Sequence, residues 1–171
     1  DSYDIYNKYL KKLYTDNAIP EGDKTLKECN NWLKWEDILK IVDVKGKMIK
    51  KMGINSTSDK QINKNEFNIL QEYIVLCLYS MIPPKRLEYG SCGIIPEKDY
   101  KALGETDKKD NCYLVVKSRT LKYFSFGVNT LKSTIGIDKF QIIDIPKNLN
   151  SVLNIWLNYN KTKYLLLNEK G

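Results

Sequence analysis

The feature that most constrains this fold is an apolar run, residues 73–82, that ends at two consecutive prolines. From residue 66 onward, apolar side chains recur at helical spacing: Leu70, Tyr73, Ile74, Cys77, Leu78 and Met81. Further apolar residues cover much of the opposite face, so we predict that this helix is central and buried. Pro83 and Pro84 end it, because neither can donate a helical hydrogen bond and each moves its predecessor out of the α region.

Other segments have the periodicity of helices or the composition of strands. Helices are predicted over residues 3–14, over residues 35–52 and after Pro146. Strands are predicted over residues 113–117, 123–128 and 139–145, with a hairpin loop at residues 129–136. The predicted fold class is therefore α+β, mainly helical with a small three-stranded antiparallel sheet.

The charge balance of the chain indicates its partners. The 171 residues include 28 basic and 21 acidic side chains, which give a formal charge of +7. Such a surface attracts polyanions, and nucleic acid is favoured over acidic lipid because no basic amphipathic helix stands out. No apolar stretch reaches the roughly 20 residues that a membrane span needs. An AT-rich genome, which enriches lysine and asparagine, is the alternative explanation of this composition.

Only two of the basic residues are arginines, Arg86 and Arg119. Arg86 follows the predicted central helix, where a guanidinium is costly to hold unless a carboxylate or phosphate receives its donors. Arg86 is therefore a candidate anion contact. The structural alternative is a salt bridge to a local carboxylate such as Glu88.

The cysteines indicate the redox environment. Cys29, Cys77, Cys92 and Cys112 lack the C-x-x-C spacing of a metal site, and the chain has no histidine. We expect reduced, partly buried thiols, no bound metal, and a location in the cytoplasm or nucleus. The alternative is a structural or surface protein in which the four cysteines are paired.

Two segments resemble a known family. Residues 78–89, LYSMIPPKRLEY, resemble the first-arginine motif of tyrosine recombinases, in the variant found in integrases of large eukaryotic DNA viruses and related mobile elements. Residues 129–146 resemble the family's lysine-bearing hairpin and the strand after it. The resemblance covers roughly residues 32–171. The expected organisation is an N-terminal helix and linker at residues 1–30 and a partial catalytic domain at residues 31–171.

The resemblance implies breaking and rejoining of double-stranded DNA through a 3′-phosphotyrosine, by a multimer on DNA, without cofactor or metal. It implies that Arg86 clamps the scissile phosphate, that Lys132 is the general acid, and that Glu88 supports the site from behind. The family's second arginine motif and histidine are missing, and Tyr159 and Tyr164 come too early to be its nucleophile. We therefore expect part of a longer recombinase or a member that binds DNA without cutting it.

Other basic side chains complete the expected interface. Lys85, Lys117, Arg119 and Lys122 are predicted to contact backbone phosphates around the same cleft. Lys132 is alternatively an ordinary solvated lysine, in which case Lys122 or Lys139 takes its place.

A noncatalytic nucleic-acid-binding module is a further alternative. Three aromatic residues among the lysines, Tyr123, Phe124 and Phe126, are typical of a small sheet that stacks on single strands. The competing interpretation is that these rings face the core of the protein.

Overall fold

The computed structural model describes residues 33–85, 88–130 and 141–167. The chain divides into two compact units, Asp1–Asp37 and Ile38–Gly171, and nearly all of the described residues belong to the second. The helix predicted over residues 3–14 and the linker after it lie outside the described residues. Arg86, Lys132, Lys139 and Cys29 also lie outside them.

Helix α1, Trp35–Lys51, begins where the sequence predicts it. Two acidic residues occupy its first turn and two lysines its last turn, which matches the partial charges at the two helix ends. Its buried residues are Val42 and Ile49. A second row of apolar side chains on α1, Ile41, Val44 and Met48, is exposed.

Helix α2, Lys64–Met81, is the buried helix that the apolar run predicts. A capping box begins it: Glu66 N donates to the Asn63 side chain at 3.0 Å, and Asn63 N donates to the Glu66 carboxylate at 3.0 Å. Its fully buried residues are Leu70, Ile74, Cys77 and Leu78. The chain becomes extended at Ile82, immediately before the prolines, so the predicted end of the helix is confirmed.

The second half of the chain forms a mixed sheet between helices. Its strands are β1, Gly93–Pro96; β2, Cys112–Val116; β3, Lys122–Phe126; and β4, Gln141–Asp144. Its helices are α3, Glu97–Ala102; α4, Glu105–Asp110; and α5, Lys147–Tyr159, with 3-10 turns at Glu88–Ser91 and Val128–Thr130. The strand order is β1-β2-β3-β4. β1 runs parallel to β2, and the other neighbours are antiparallel.

The predicted sheet is correct in class and incomplete in detail. The α+β class and strands β2, β3 and β4 are confirmed, each within two residues of its predicted bounds. The prediction of three antiparallel strands is wrong, because the described residues form four strands and the first pair is parallel. β1 is only four residues long and contains Gly93 and Pro96, so it has too little periodicity to stand out. α3 and α4 supply the crossover that a parallel pair requires.

The core lies between one face of the sheet and helices α2 and α5. The sheet contributes Leu114, Phe124 and Phe126, all fully buried. Trp156 of α5 is also fully buried; its ring lies 5.0 Å from the Phe67 ring, and its indole nitrogen donates to Leu165 O at 2.8 Å. Burial of these large side chains supplies the main favourable free energy of the fold.

The opposite face of the sheet carries a smaller tyrosine cluster. The Tyr100 ring of α3 lies 5.8 Å from the Tyr113 ring and 6.2 Å from the Tyr123 ring. The Tyr100 hydroxyl also shares a 2.7 Å hydrogen bond with the buried Ser125 hydroxyl. The short helix α3 is thereby attached to the middle of the sheet.

Candidate nucleic-acid interface

Two residues close to Arg86 in the sequence, Lys85 and Tyr89, make side-chain contacts with other parts of the protein. On one side, the Tyr89 ring is fully buried, 5.4 Å from the Phe124 ring and 5.8 Å from the Phe126 ring. Its hydroxyl donates to Pro83 O at 3.1 Å, so Tyr89 is tied to the segment that directly follows α2. Burial is the main cause that raises the pKa of Tyr89, and the phenol therefore stays protonated as a donor.

Lys85, immediately before Arg86, contacts two residues of the sheet. Its ammonium donates to the side-chain oxygen of Gln141, the first residue of β4. The same ammonium lies 5.0 Å from the centre of the Phe126 ring, a cation–π distance. Gln141 directly follows residues 131–140, which carry Lys132. The chain next to Arg86 therefore meets the chain next to the Lys132 segment.

Glu88 begins the 3-10 turn Glu88–Ser91 and is partly buried. Its backbone oxygen accepts a hydrogen bond from the Ser91 hydroxyl at 3.1 Å. Burial first, and the negative charge of Glu88 second, raise the pKa of Tyr79. The carboxylate therefore lies close to Tyr79, near the end of α2.

Two buried thiols lie close together after the 3-10 turn Glu88–Ser91 and at the start of β2. Cys92, just before β1, and Cys112, the first residue of β2, share a hydrogen bond that is the main cause lowering the pKa of Cys112 to about 7 and raising that of Cys92. Cys112 Sγ also donates to Thr130 Oγ1 at 3.2 Å. Cys77, Cys92 and Cys112 are all free thiols. The alternative with four paired cysteines is therefore wrong.

The β2–β3 turn carries a second group of basic residues at the other end of β3. Lys117 N and Ser118 N both donate to Leu121 O, at 3.1 and 3.0 Å, which makes the turn tight. Lys117 and Arg119 are exposed, and in the described part of the chain neither has a carboxylate within ion-pair distance. The Arg119 guanidinium donates to the Ser56 hydroxyl at 3.0 Å. Most of its donors therefore remain available to an anion.

Lys122 differs from the other predicted phosphate contacts because it is only 2% exposed. Its ammonium donates to Arg119 O at 2.8 Å, to Asn150 Oδ1 at 2.8 Å and to Asn154 Oδ1 at 2.7 Å. Three acceptors match its three N–H groups, so in this arrangement none is left for a phosphate. Burial first, and the charge of Arg119 second, lower the pKa of Lys122 to about 8.

Among the described residues, the predicted contacts form two groups along β3. Lys85 lies at the Phe126 end of β3, whereas Lys117 and Arg119 lie at the Lys122 end. Four strand steps separate the two ends, roughly 13 Å at strand geometry. The sequence gives no signal for Gln141 and Ser56, because their contacts join positions 56 and 63 residues apart. Asn150 and Asn154 have a local signal: they are a polar pair at i, i+4 on an apolar helix.

The aromatic residues of β3 divide between the two faces of the sheet. Phe124 and Phe126 are completely buried and pack in the core, so stacking of either ring on a single strand is excluded in this fold. Tyr123 lies on the opposite face and is partly covered by Tyr100. The core interpretation is therefore confirmed for the two phenylalanines.

A cavity of about 500 Å³ lies between residues 58–62 and the end of α5. Tyr159 lines it, and the Tyr159 hydroxyl is buried without a hydrogen-bond partner among the described residues. Tyr164 is half exposed at the opposite edge of the sheet from Gln141, where it bridges Gly93 of β1.

Residues 33–85, 88–130 and 141–167 contain neither a membrane-spanning helix nor a metal-binding cluster. No helix in these ranges is long and apolar enough to cross a membrane. No group of three or more cysteine, aspartate or glutamate side chains in these ranges could hold a metal ion. No protein-family model, curated protein or solved structure matches the chain.

Proposed function

We propose that this chain binds duplex DNA and contributes the first catalytic arginine and the lysine of a tyrosine-recombinase-type strand-exchange enzyme. Arg86 neutralises the scissile phosphate, Lys132 donates a proton to the leaving 5′ oxygen, and Glu88 supports the arginine. The nucleophilic tyrosine comes from outside residues 1–171. The enzyme acts as a multimer on paired DNA sites, in the cytoplasm or nucleus, and needs no metal because its cations supply the charge stabilisation.

The contact between Lys85 and Gln141 is the observation that carries this proposal. Arg86 and Lys132 are 46 positions apart in the sequence, and a shared phosphate requires their segments to converge. Lys85 adjoins Arg86, Gln141 adjoins the segment with Lys132, and their side chains are hydrogen bonded. This contact supports the proposal because a shared phosphate-binding site requires these two parts of the chain to lie near each other.

A direct binding measurement tests the DNA contact. Fluorescence anisotropy with a labelled duplex would give Kd over a range of salt concentrations for the wild type, Arg86→Ala and Lys132→Ala. We expect each substitution to weaken binding about 3- to 30-fold and to reduce the slope of log Kd against log salt by about 1. The matched control is Lys101→Ala, which removes an exposed lysine already paired with Glu97 at 3.4 Å. Binding of both variants at the control level would contradict the proposal.

Covalent trapping tests the chemistry separately. The full-length gene product would be incubated with a nicked suicide duplex, and protein–DNA adducts would be counted on a denaturing gel. We expect Arg86→Ala to reduce adducts by about 100-fold or more, because the arginine stabilises charge that develops in the transition state. Undiminished adduct formation would remove Arg86 from the site. Salt-dependent binding without adducts in any form of the protein would favour the noncatalytic DNA-binding module.

A further inference from the structure

Lys122 has an unusual environment for a lysine. Its ammonium is buried at the junction of the β2–β3 turn and α5, and all three of its hydrogen bonds go to neutral oxygens. A buried ammonium without a counter-ion is costly, and an apolar side chain of similar volume would avoid that cost. The bonds made by the ammonium indicate what it does in this position.

One of the three acceptors is the backbone oxygen of Arg119. That oxygen also accepts a 3.1 Å hydrogen bond from the Asn150 amide, and Asn150 in turn accepts from Lys122. Lys122 and Asn150 therefore both donate hydrogen bonds to the Arg119 carbonyl from the protein interior. The Arg119 side chain points the other way, to the exposed surface beside Ser56.

Arg119 and the buried Lys122 are two cations close to each other, and the Arg119 side chain is exposed to solvent. The Arg119 charge acts on the buried Lys122 ammonium and disfavours its protonated form. In the described part of the chain, no carboxylate within ion-pair distance offsets either cation. An anion bound to Arg119 would relieve this repulsion and would complete the donors of the guanidinium fork.

We propose that Lys122 is a positioning residue that holds the β2–β3 turn so that Arg119 contacts a backbone phosphate of the bound DNA. Lys117 and the Ser118 and Thr120 hydroxyls lie on the same turn and supply further donors to that phosphate backbone. The inference rests on the proposed function and adds a second contact beyond the far end of β3 from Lys85, a strand roughly 13 Å long.

A double-mutant cycle on duplex binding tests the inference. Kd would be measured for the wild type, Arg119→Ala, Lys122→Met and the double variant. We expect each single substitution to weaken binding about 3- to 10-fold and the double variant to bind no more weakly than Arg119→Ala. If the fold-change in Kd of the double variant equals the product of the two single fold-changes, Lys122 acts independently of Arg119. Wild-type affinity of Arg119→Ala would overturn the phosphate contact itself.

Asn154→Ala separates position from charge. This variant removes one Lys122 acceptor and deletes no cationic side chain, so weakened binding in it would reflect the support that Lys122 receives. We expect about a 2- to 5-fold loss in Asn154→Ala and none when Arg119 is already alanine. Circular dichroism at the assay temperature reports whether each variant is folded, and Asn154→Ala carries the test if Lys122→Met is not.

The pH profile provides a readout that a purely structural lysine would not change. Wild-type affinity should fall as pH rises from 7 to 9 by more than that of Lys122→Met, because only the wild type loses this proton. Equal dependence of DNA affinity on pH in the wild type and Lys122→Met would contradict a link between Lys122 protonation and DNA binding. Loss of binding in Arg86→Ala but not in Arg119→Ala would refute this inference alone, whereas a wild type that fails to bind duplex DNA would refute the proposed function.

Discussion

The ammonium of Lys122 lies 2.8 Å from the side-chain oxygen of Asn150, which is 28 residues later in the chain. This bond joins the first residue of β3 to helix α5 through the interior of the protein. The sequence predicts Lys122 as a phosphate contact. Its burial instead leaves it to support the β2–β3 turn, which carries Arg119. The burial of this ammonium also makes the stability of the protein depend on pH.

We expect the unfolding free energy of the wild type to rise relative to that of Lys122→Met between about pH 8 and 10. The folded-state pKa of Lys122 is about 8, against an ordinary value of 10.5. In this window the unfolded chain binds a proton that the folded chain does not, so raising the pH favours folding by up to ~1.4 kcal/mol per unit. Urea unfolding at several pH values measures the difference, in which the cysteine and tyrosine titrations cancel. Parallel stability curves for the two proteins would contradict the prediction.

Gly127→Ala should destabilise the protein by about 2 kcal/mol or more. A Cβ at this position would press against the Lys109 carbonyl and lie 2.6 Å from Lys108 O, both rigid backbone groups at the end of α4. Gly90→Ala is the matched control, because a Cβ there meets nothing within 4 Å. Thermal and urea unfolding of both variants measure the effect. A Gly127→Ala protein as stable as Gly90→Ala would mean that α4 does not pack against the end of β3.

Asn63→Ala should cost about 1 kcal/mol, because it removes the side-chain acceptor that satisfies Glu66 N at the start of α2. Asn68→Ala makes the same chemical change at an exposed position inside α2 and should change stability by a few tenths of a kcal/mol in the stabilising direction. Equilibrium urea unfolding distinguishes the two. Equal effects would argue against the capping box.

Thiol titration should detect at least three free cysteines when the protein is unfolded without reductant. Cys77, Cys92 and Cys112 are free and buried, so the native protein should react slowly with a thiol reagent. Burial is the main cause that raises the pKa of Cys77 to about 11, which further lowers its reactivity. A reduced and unfolded sample is the control. Fewer than three thiols before reduction would contradict the free-cysteine assignment.

Local sequence signals were sufficient for the long elements. The i, i+3, i+4 spacing before Pro83 predicts α2. The aromatic and β-branched composition of residues 123–128 predicts β3. β1 escaped prediction because four residues carry almost no period. Its pairing with β2 depends on a crossover through α3 and α4 and on no pattern of its own.

The candidate interface could be predicted only in part. The scarcity of arginine and the basic composition mark Arg86 and Arg119 as candidate anion contacts. Both signals can be read from the sequence without knowledge of the fold. The environments of Lys122 and Lys85 could not be predicted, because the sequence does not show which lysines are buried or what they contact. In the structure Lys122 is buried with three hydrogen-bond acceptors, whereas Lys85 contacts Gln141.

The sequence by itself determined the fold class, the buried helix with its proline stop, and a surface charge that favours a polyanionic partner. These properties follow from side-chain chemistry and short-range periodicity, which act within a few residues. Only the tertiary structure decided that the basic residues form two groups along β3, that Lys122 lies inside, and that Lys85 meets Gln141. Those outcomes depend on contacts between residues 28 to 63 positions apart, and such distances are set by how the sheet packs on α2 and α5.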